Sequence, residues 1–112
     1  MNQQIIVPKR PSETCEVEAT IAIIAGKWKP MILFNLRLGA LRFSDIKRAL
    51  PKTSDRMLIR SLRELEEDNL ISREVFKEVP ARVEYELTVR GKSLLPVLDV
   101  MSKWAATEHG IA

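Results

Sequence analysis

The sequence has one cysteine and one histidine among 112 residues, and these scarcities exclude several kinds of site. A single cysteine cannot form a disulfide within the chain or a metal site made only of cysteines. His109 lies near the end of the sequence and far from Cys15, so neither a zinc site nor a Ser-His-Asp set is expected. A glycine-rich phosphate-binding loop is also missing. We therefore predict no enzymatic activity, no cofactor and no metal ion.

Long apolar runs are missing as well. No stretch approaches the roughly 18 residues that a membrane span requires. The first ten residues lack the basic segment followed by an apolar one that defines a signal peptide. We therefore expect a cytoplasmic protein with no membrane partner. With 46% hydrophobic and 29% charged residues, the chain should fold as one globular domain.

The excess of positive charge is small, but it is unevenly placed. The whole chain carries a net charge of +3, whereas segment 42–63 has seven basic and two acidic residues, a local net charge of +5. Segment 64–68 then holds four acidic residues. A positive segment followed by a negative one creates a directional field, which suits a polyanionic partner.

A helix over residues 54–68 is predicted where these two segments meet. Ser54 can cap its start through the hydroxyl group, and Pro51 closes the preceding element. Leucines at spacings of four and three residues share one face of this helix. They are Leu58, Leu62 and Leu65.

Arginines lie on nearly the opposite face of the same helix, with the same spacings in a different phase. They are Arg56, Arg60 and Arg63. A short helix with leucines towards a core and arginines outward, introduced by a tight turn, fits a helix that reads the major groove of DNA. Arginine pairs bidentately with guanine, and each good pair contributes about 1–3 kcal/mol of discrimination.

Three further residues of the helix are candidates for contact with bases or phosphate. Ile59, beside the arginines, could meet a thymine methyl group, and Ser54 and Asp55 are placed for cytosine or phosphate. The simpler alternative is a solvated face stabilised by pairs one turn apart, such as Arg63 with Glu67. The opposing leucines, the turn and the local charge favour DNA.

Residues flanking the helix are expected to contact the phosphate backbone, which positions a protein without reading sequence. This flanking set is Arg42, Lys47, Arg48, Lys52 and Thr53. Lys27 and Lys29 could do the same or be ordinary surface residues. In a predicted hairpin, Lys77 and Arg82 bracket the tip and are expected to reach the adjacent minor groove.

Hydrophobic periodicity predicts the remaining elements. They are helices at 15–25, 28–38, 44–49 and 88–107, and strands at 71–79 and 82–87 with the hairpin tip at 79–81. The helix at 28–38 is apolar nearly all round and should be central and buried. Asn69 should end the 54–68 helix in a left-handed conformation. Pro96 predicts a lost hydrogen bond and a bend in the last helix.

This order of elements predicts a mainly α protein with a small β-hairpin wing, a winged helix-turn-helix. Residues 1–13 are interpreted as a mobile arm, 14–108 as the domain with its dimerisation helices, and 109–112 as a tail. Lys9 and Arg10 in the arm are additional candidates for backbone contact.

Seven pieces of the sequence lie in register over about 90 residues. They are Cys15-Glu-Val-Glu-Ala-Thr, Ala25-Gly-Lys-Trp-Lys, Arg42-Phe-Ser-Asp-Ile, Leu62-Arg-Glu-Leu-Glu-Glu-Asp-Asn-Leu-Ile, Val79-Pro-Ala-Arg-Val-Glu-Tyr-Glu-Leu-Thr, Gly91-Lys-Ser-Leu-Leu-Pro and Trp104. Together they resemble the HxlR family of bacterial transcription regulators, relatives of the MarR group. The sequence departs from the family pattern at Glu16, where proline is usual, and at Asn69, where glycine is usual. Lys52-Thr53 replaces the Gly-Ile of the turn.

The resemblance implies a homodimer that binds near-palindromic operator DNA and often represses an adjacent gene. We expect the first and last helices of both subunits to pack together through the apolar face of the last helix. The residues expected in this interface are Leu94, Leu98, Met101 and Trp104. The two recognition helices would then lie one turn of DNA apart, roughly 34 Å.

The resemblance also implies that some members respond to electrophiles, quinones or oxidants through an N-terminal cysteine, here Cys15. A thiol at a helix N-terminus has its thiolate favoured. The positive charges of Lys9 and Arg10 would favour the thiolate further, whereas the carboxylates of Glu13, Glu16 and Glu18 would disfavour it. The alternative is that Cys15 is an ordinary small apolar residue.

A second class of function is a winged-helix module that binds another protein and not DNA. Such modules often keep the fold but lose the basic face of the helix. The arginines at 56, 60 and 63 argue against this alternative.

Overall fold

The computed structural model describes residues 15–110, in which helices predominate and three short strands form one sheet. The elements in chain order are α1 (Glu16–Ile24), α2 (Lys29–Asn35), a 3₁₀ turn (Leu36–Leu38), β1 (Leu41–Arg42), α3 (Phe43–Ala49), α4 (Asp55–Glu67), β2 (Ile71–Phe76), β3 (Arg82–Leu87), α5 (Val89–Lys92) and α6 (Leu95–Glu108). This confirms the predicted winged helix-turn-helix. The arm expected at 1–13 lies outside the described residues.

The strands form an antiparallel sheet in the order β1-β3-β2. The predicted hairpin is present, with Ile71 opposite Leu87 and Phe76 opposite Arg82, and residues 77–81 form its tip. β1 was not predicted, because two residues are too short to show an alternating pattern. Leu41 lies opposite Tyr85 in this strand, which joins the start of α3 to the base of the hairpin.

The hydrophobic core lies between α2, α3, α4 and the sheet. Its fully buried side chains are Ile32, Leu33, Leu36, Ile46, Leu58, Leu62, Leu65, Leu70 and Ile71. The predicted leucine face of α4 is therefore confirmed. Each buried leucine contributes roughly 1.5–3 kcal/mol relative to an exposed one, so the core fixes which face of α4 points outward.

The expectation of a buried helix at 28–38 was wrong at its C-terminal end. The α-helix stops at Asn35, and the tighter winding of the 3₁₀ turn carries Leu38 out to 87% exposure. Gly39 follows with φ of +140°, a conformation that side chains rarely adopt, and it ends the turn.

Both ends of α4 follow the sequence signals. The Ser54 hydroxyl accepts a hydrogen bond from the Met57 N–H at 3.1 Å and caps the helix. Asn69 adopts φ of +58°, as predicted. The Asn69 N–H donates to the Glu66 carbonyl at 3.0 Å and the Leu70 N–H to the Leu65 carbonyl at 2.9 Å, which is the Schellman pattern of a helix end.

The predicted last helix is two helices, and the predicted bend at Pro96 was wrong. Thr88 caps α5, where its hydroxyl accepts from the Gly91 N–H at 3.0 Å. Gly91 packs so closely on the backbone of Leu70 that a Cβ there would collide with the Leu70 carbonyl oxygen. The chain then turns, and Pro96 becomes the second residue of α6, where its missing N–H costs nothing.

The longest described helix, α6, has 14 residues. At 1.5 Å per residue it spans about 21 Å, against roughly 30 Å for a bilayer core. No helix within residues 15–110 is long and apolar enough to cross a membrane.

Candidate nucleic-acid interface

The outward face of α4 is a continuous surface that carries three arginines, with Glu64 and Glu67 along the same groove towards the C-terminal end of the helix. Its predicted residues Arg56, Ile59, Arg60 and Arg63 are all exposed and line one open groove. Met57, 40% exposed, lies in the same groove and was missed by sequence reasoning because its position falls between the leucine and arginine faces. Ile59 and Met57 offer apolar atoms beside three guanidinium groups, a combination suited to base edges and thymine methyl groups.

The start of α4 is tied to α3. The Lys47 ammonium donates a hydrogen bond to the Thr53 carbonyl and lies 3.7 Å from a carboxylate oxygen of Asp55. These contacts fix the turn that introduces α4. Lys47, expected at the phosphate backbone, therefore has two partners within the protein.

One predicted contact residue is buried. Thr53 has only 2% of its surface exposed, and its hydroxyl lies 3.4 Å from the Ser54 carbonyl oxygen. A side chain this deeply buried does not support the expected contact of Thr53 with the DNA backbone. Thr53 lies inside the turn. Its side chain packs inward, and its backbone carbonyl accepts a hydrogen bond from the Lys47 ammonium.

The other flanking cations are exposed. Arg42 precedes α3, and its backbone N–H donates to the Asp45 carboxylate at 3.2 Å. Arg48 lies 3.3 Å from the same carboxylate, but its side chain is 78% exposed. Lys52, in the turn before α4, is exposed as well. Arg48 and Lys52 lie shortly before α4 in the chain, whereas Arg42 lines a groove with the tip of the hairpin.

Glu64, on the last turns of α4, joins that helix to α2. Its carboxylate lies 2.9 Å from the Lys29 ammonium and 3.3 Å from the Arg60 Nε. Hydrogen bonds from Lys29 and Arg60 hold the pKa of the Glu64 carboxyl below its ordinary value of 4.5. Lys29, a candidate for phosphate contact, has a side chain only 12% exposed and is occupied inside the protein.

The hairpin of β2 and β3, which is the wing, has fewer unpaired cations than the sequence suggested, because Arg82 is paired. The Arg82 guanidinium lies over the Phe76 ring at 4.1 Å and close to two carboxylates, 3.3 Å from Glu78 and 3.1 Å from Glu84. Its side chain is 27% exposed. Lys77 at the other side of the tip is exposed. Arg82 thus stiffens the hairpin, since it bridges both strands.

The apolar face predicted for dimerisation is divided between core and surface. Leu98 is 5% exposed and belongs to the core, so it offers little surface to the expected interface. Leu94 is half-buried and packs against the same core. Met101 and Trp104 are 51% and 57% exposed. The cause is that α6 packs on α2, which uses the Leu98 side of the helix.

Additional apolar side chains are exposed on α6 itself and on α1. They are Val97, Val100, Val17 and Ile21, each between 41% and 65% exposed. Sequence reasoning missed Val100 because a helix with apolar residues on several sides does not show which side meets the core.

Cys15 is the N-cap of α1. Its sulfur accepts a hydrogen bond from the Glu18 N–H at 3.4 Å, and the free thiol is partly exposed. Within residues 15–110, no group of three or more His, Cys, Asp and Glu residues is placed to hold a metal ion.

Comparison with known proteins gives consistent matches across this structure. A family model described as HxlR-like helix-turn-helix matches residues 23–110. An HTH-type transcriptional regulator of Methanothermobacter thermautotrophicus is 54% identical over 90 residues, which are 80% of this chain and 69% of the relative. The residues matched by the family model run from the end of α1 through α6 and include the whole of α4.

Two similar solved structures belong to named regulators. The redox regulator HypR in its oxidized form has a TM-score of 0.79 at 41% identity, covering 83% of this chain and 96% of HypR. The reduced form of the transcriptional regulator YodB from B. subtilis has a TM-score of 0.73 at 33% identity, covering 84% of this chain and 93% of YodB.

Proposed function

Since the chain belongs to the HxlR-like helix-turn-helix family of transcriptional regulators, we propose that it is a repressor that binds a near-palindromic operator as a homodimer. The observation that carries this proposal is the two-sided structure of α4. Its leucines are completely buried, whereas Arg56, Arg60 and Arg63 are exposed. The core therefore presents an arginine face rigidly to the outside.

The proposed docking places the N-terminal half of α4 in the major groove. Ser54 and Asp55 would approach the DNA first, with Arg56, Ile59 and Arg60 at the base edges. Arg63 would contact phosphate, and the acidic residues after it would point away from the duplex. The exposed Arg42, Arg48 and Lys52 would hold the flanking backbone, since such contacts position without specifying.

A second copy of the chain would cover the exposed apolar side chains of α1 and α6. Val17 and Ile21 from α1, with Val100, Met101 and Trp104 from α6, support this part of the proposal. A dimer through these helices would set two copies of α4 roughly 34 Å apart, one turn of DNA.

The test is a titration of a duplex that the wild-type protein selects from a random-sequence pool. Arg60→Ala is expected to weaken binding by roughly 5- to 150-fold per half-site, equivalent to 1–3 kcal/mol. The affinity should also depend less steeply on salt, because fewer counterions are released. Fluorescence anisotropy at several salt concentrations measures both quantities.

The matched control is Lys92→Ala, which removes one positive charge from an exposed position of α5, outside both proposed surfaces. It should leave affinity and salt slope unchanged. If the wild type selects no sequence and binds no duplex at low salt, the proposal fails and a protein-interaction module becomes the better account.

Cys15 supports a further part of the proposal, release of DNA when its thiol is modified. Its sulfur caps α1, so a bulky or charged modification would disturb the start of a helix in the proposed dimer face. HypR, a redox regulator, has a similar structure. With one cysteine, the oxidised form would be a disulfide between subunits or a mixed disulfide with a small thiol.

Cys15→Ser is expected to abolish oxidant-dependent release. Anisotropy would be followed after addition of diamide, alone and with a small thiol such as cysteine. Non-reducing mass spectrometry distinguishes an intersubunit disulfide from a mixed one. Release that persists in the serine variant would make Cys15 a structural cap only.

A further inference from the structure

The central arginine of the α4 surface is held by a carboxylate that another helix anchors. Arg60 Nε lies 3.3 Å from Glu64 Oε2, and Lys29 Nζ lies 2.9 Å from Glu64 Oε1. Lys29 is the first residue of α2, so the two oxygens of one carboxylate join two helices. An ordinary pair along one helix lacks this second attachment.

The anchor is firm because Lys29 is nearly buried, with 12% of its side chain exposed. A buried ammonium without a compensating charge is strongly unfavourable. The carboxylate remains ionised at neutral pH, since both cations lower the pKa of Glu64 below its ordinary value. Lys29 thus fixes where Glu64 can lie, independently of DNA.

The contact also fixes how the Arg60 guanidinium is turned. Arginine has five N–H donors, and Glu64 takes the one on Nε. The two terminal nitrogens remain available for an acceptor pair such as O6 and N7 of guanine. The Arg60 side chain is 70% exposed, so in the absence of Glu64 it would lose more rotamer freedom on binding.

We propose that Glu64, held by Lys29, is a positioning residue for sequence recognition that pre-orients Arg60 towards a base edge. This inference rests on the proposed function, because it requires α4 to lie on DNA. If Glu64 acted only through its negative charge, it would repel phosphate. Removing that charge would then strengthen binding to every duplex, whether selected or scrambled.

Glu64→Gln tests the proposal because it keeps the size of the side chain and removes the charge. The measured quantity is the ratio of Kd for a scrambled duplex to Kd for the duplex selected by the wild type. We expect this ratio to fall roughly three- to tenfold, the effect of leaving one long side chain to be ordered on binding. Thermal unfolding verifies that the variant is folded at the assay temperature.

Glu67→Gln is the matched control, since it removes the same charge one turn nearer the end of α4. Glu67 is exposed and forms no ion pair with another described residue. It should change both Kd values by the same factor and leave their ratio unchanged. In an Arg60→Ala background, Glu64→Gln should likewise leave the ratio unchanged, because the group that it positions is gone.

The proposal is overturned if Glu64→Gln leaves the ratio of the two Kd values unchanged. It is also overturned if Glu64→Gln lowers that ratio by the same factor in the wild-type protein and in the Arg60→Ala variant. These results differ from a failure of the proposed function, in which the wild-type protein itself would not distinguish the selected from the scrambled duplex. That result would remove the proposed function and this inference together.

Discussion

Three basic side chains, Lys47, Arg60 and Arg82, show that the role of a cation depends on its neighbours. Lys47 turns inward to the Thr53 carbonyl, and Arg82 lies on the Phe76 ring between two carboxylates. Arg60 keeps its exposure although one nitrogen is paired. The sequence shows which residues are positive, but it does not show which of them are paired in the fold, so the free cations of the surface cannot be selected from charge alone.

Gly91 is a residue whose importance comes only from packing. Gly91→Ala is expected to destabilise the protein by about 1–3 kcal/mol, because the new Cβ would collide with the Leu70 carbonyl oxygen and meet Leu87. Urea unfolding at neutral pH measures the change. Lys92→Ala, at the adjacent exposed position of α5, should stay within about 0.5 kcal/mol of the wild type. Equal stability of the two variants would show that α5 does not dock as described.

At the scale of elements, α4 was predictable because its signals are local. Ser54 at its start, Asn69 after its end and the leucine spacing all lie within the helix or beside it, and the observed bounds are Asp55–Glu67. The same local information predicts which face carries the arginines. The exposed arginines of the candidate site were therefore predicted correctly as a set on one face.

Elements that depend on contacts with distant residues were predicted less well. The short helix α5, which is separate from α6, packs through Gly91 against Leu70, a contact across 21 positions of the sequence. β1 exists because Leu41 pairs with Tyr85 far along the chain. The burial of Leu98 has the same origin, since α6 packs on α2 far along the chain.

At the scale of the whole molecule, the net charge of +3 conceals a separation of charge. Arg48 and Lys52 are exposed just before α4, whereas the acidic residues of its other end are joined to the rest of the domain, with Glu64 on Lys29 and Glu66 3.6 Å from Arg73. Both α1 and α6 carry exposed apolar side chains. These cations and the apolar side chains of α1 and α6 therefore belong to different elements.

Hydroxyl-radical footprinting of the selected duplex tests most directly whether two copies of α4 read one operator. Two protected patches related by a dyad are expected, with centres about 10 base pairs or roughly 34 Å apart. Arg60→Ala should weaken both patches together, since the subunits are identical. A single protected patch at saturation, or protection with no preferred position along the duplex, would show that two copies of α4 do not read one operator.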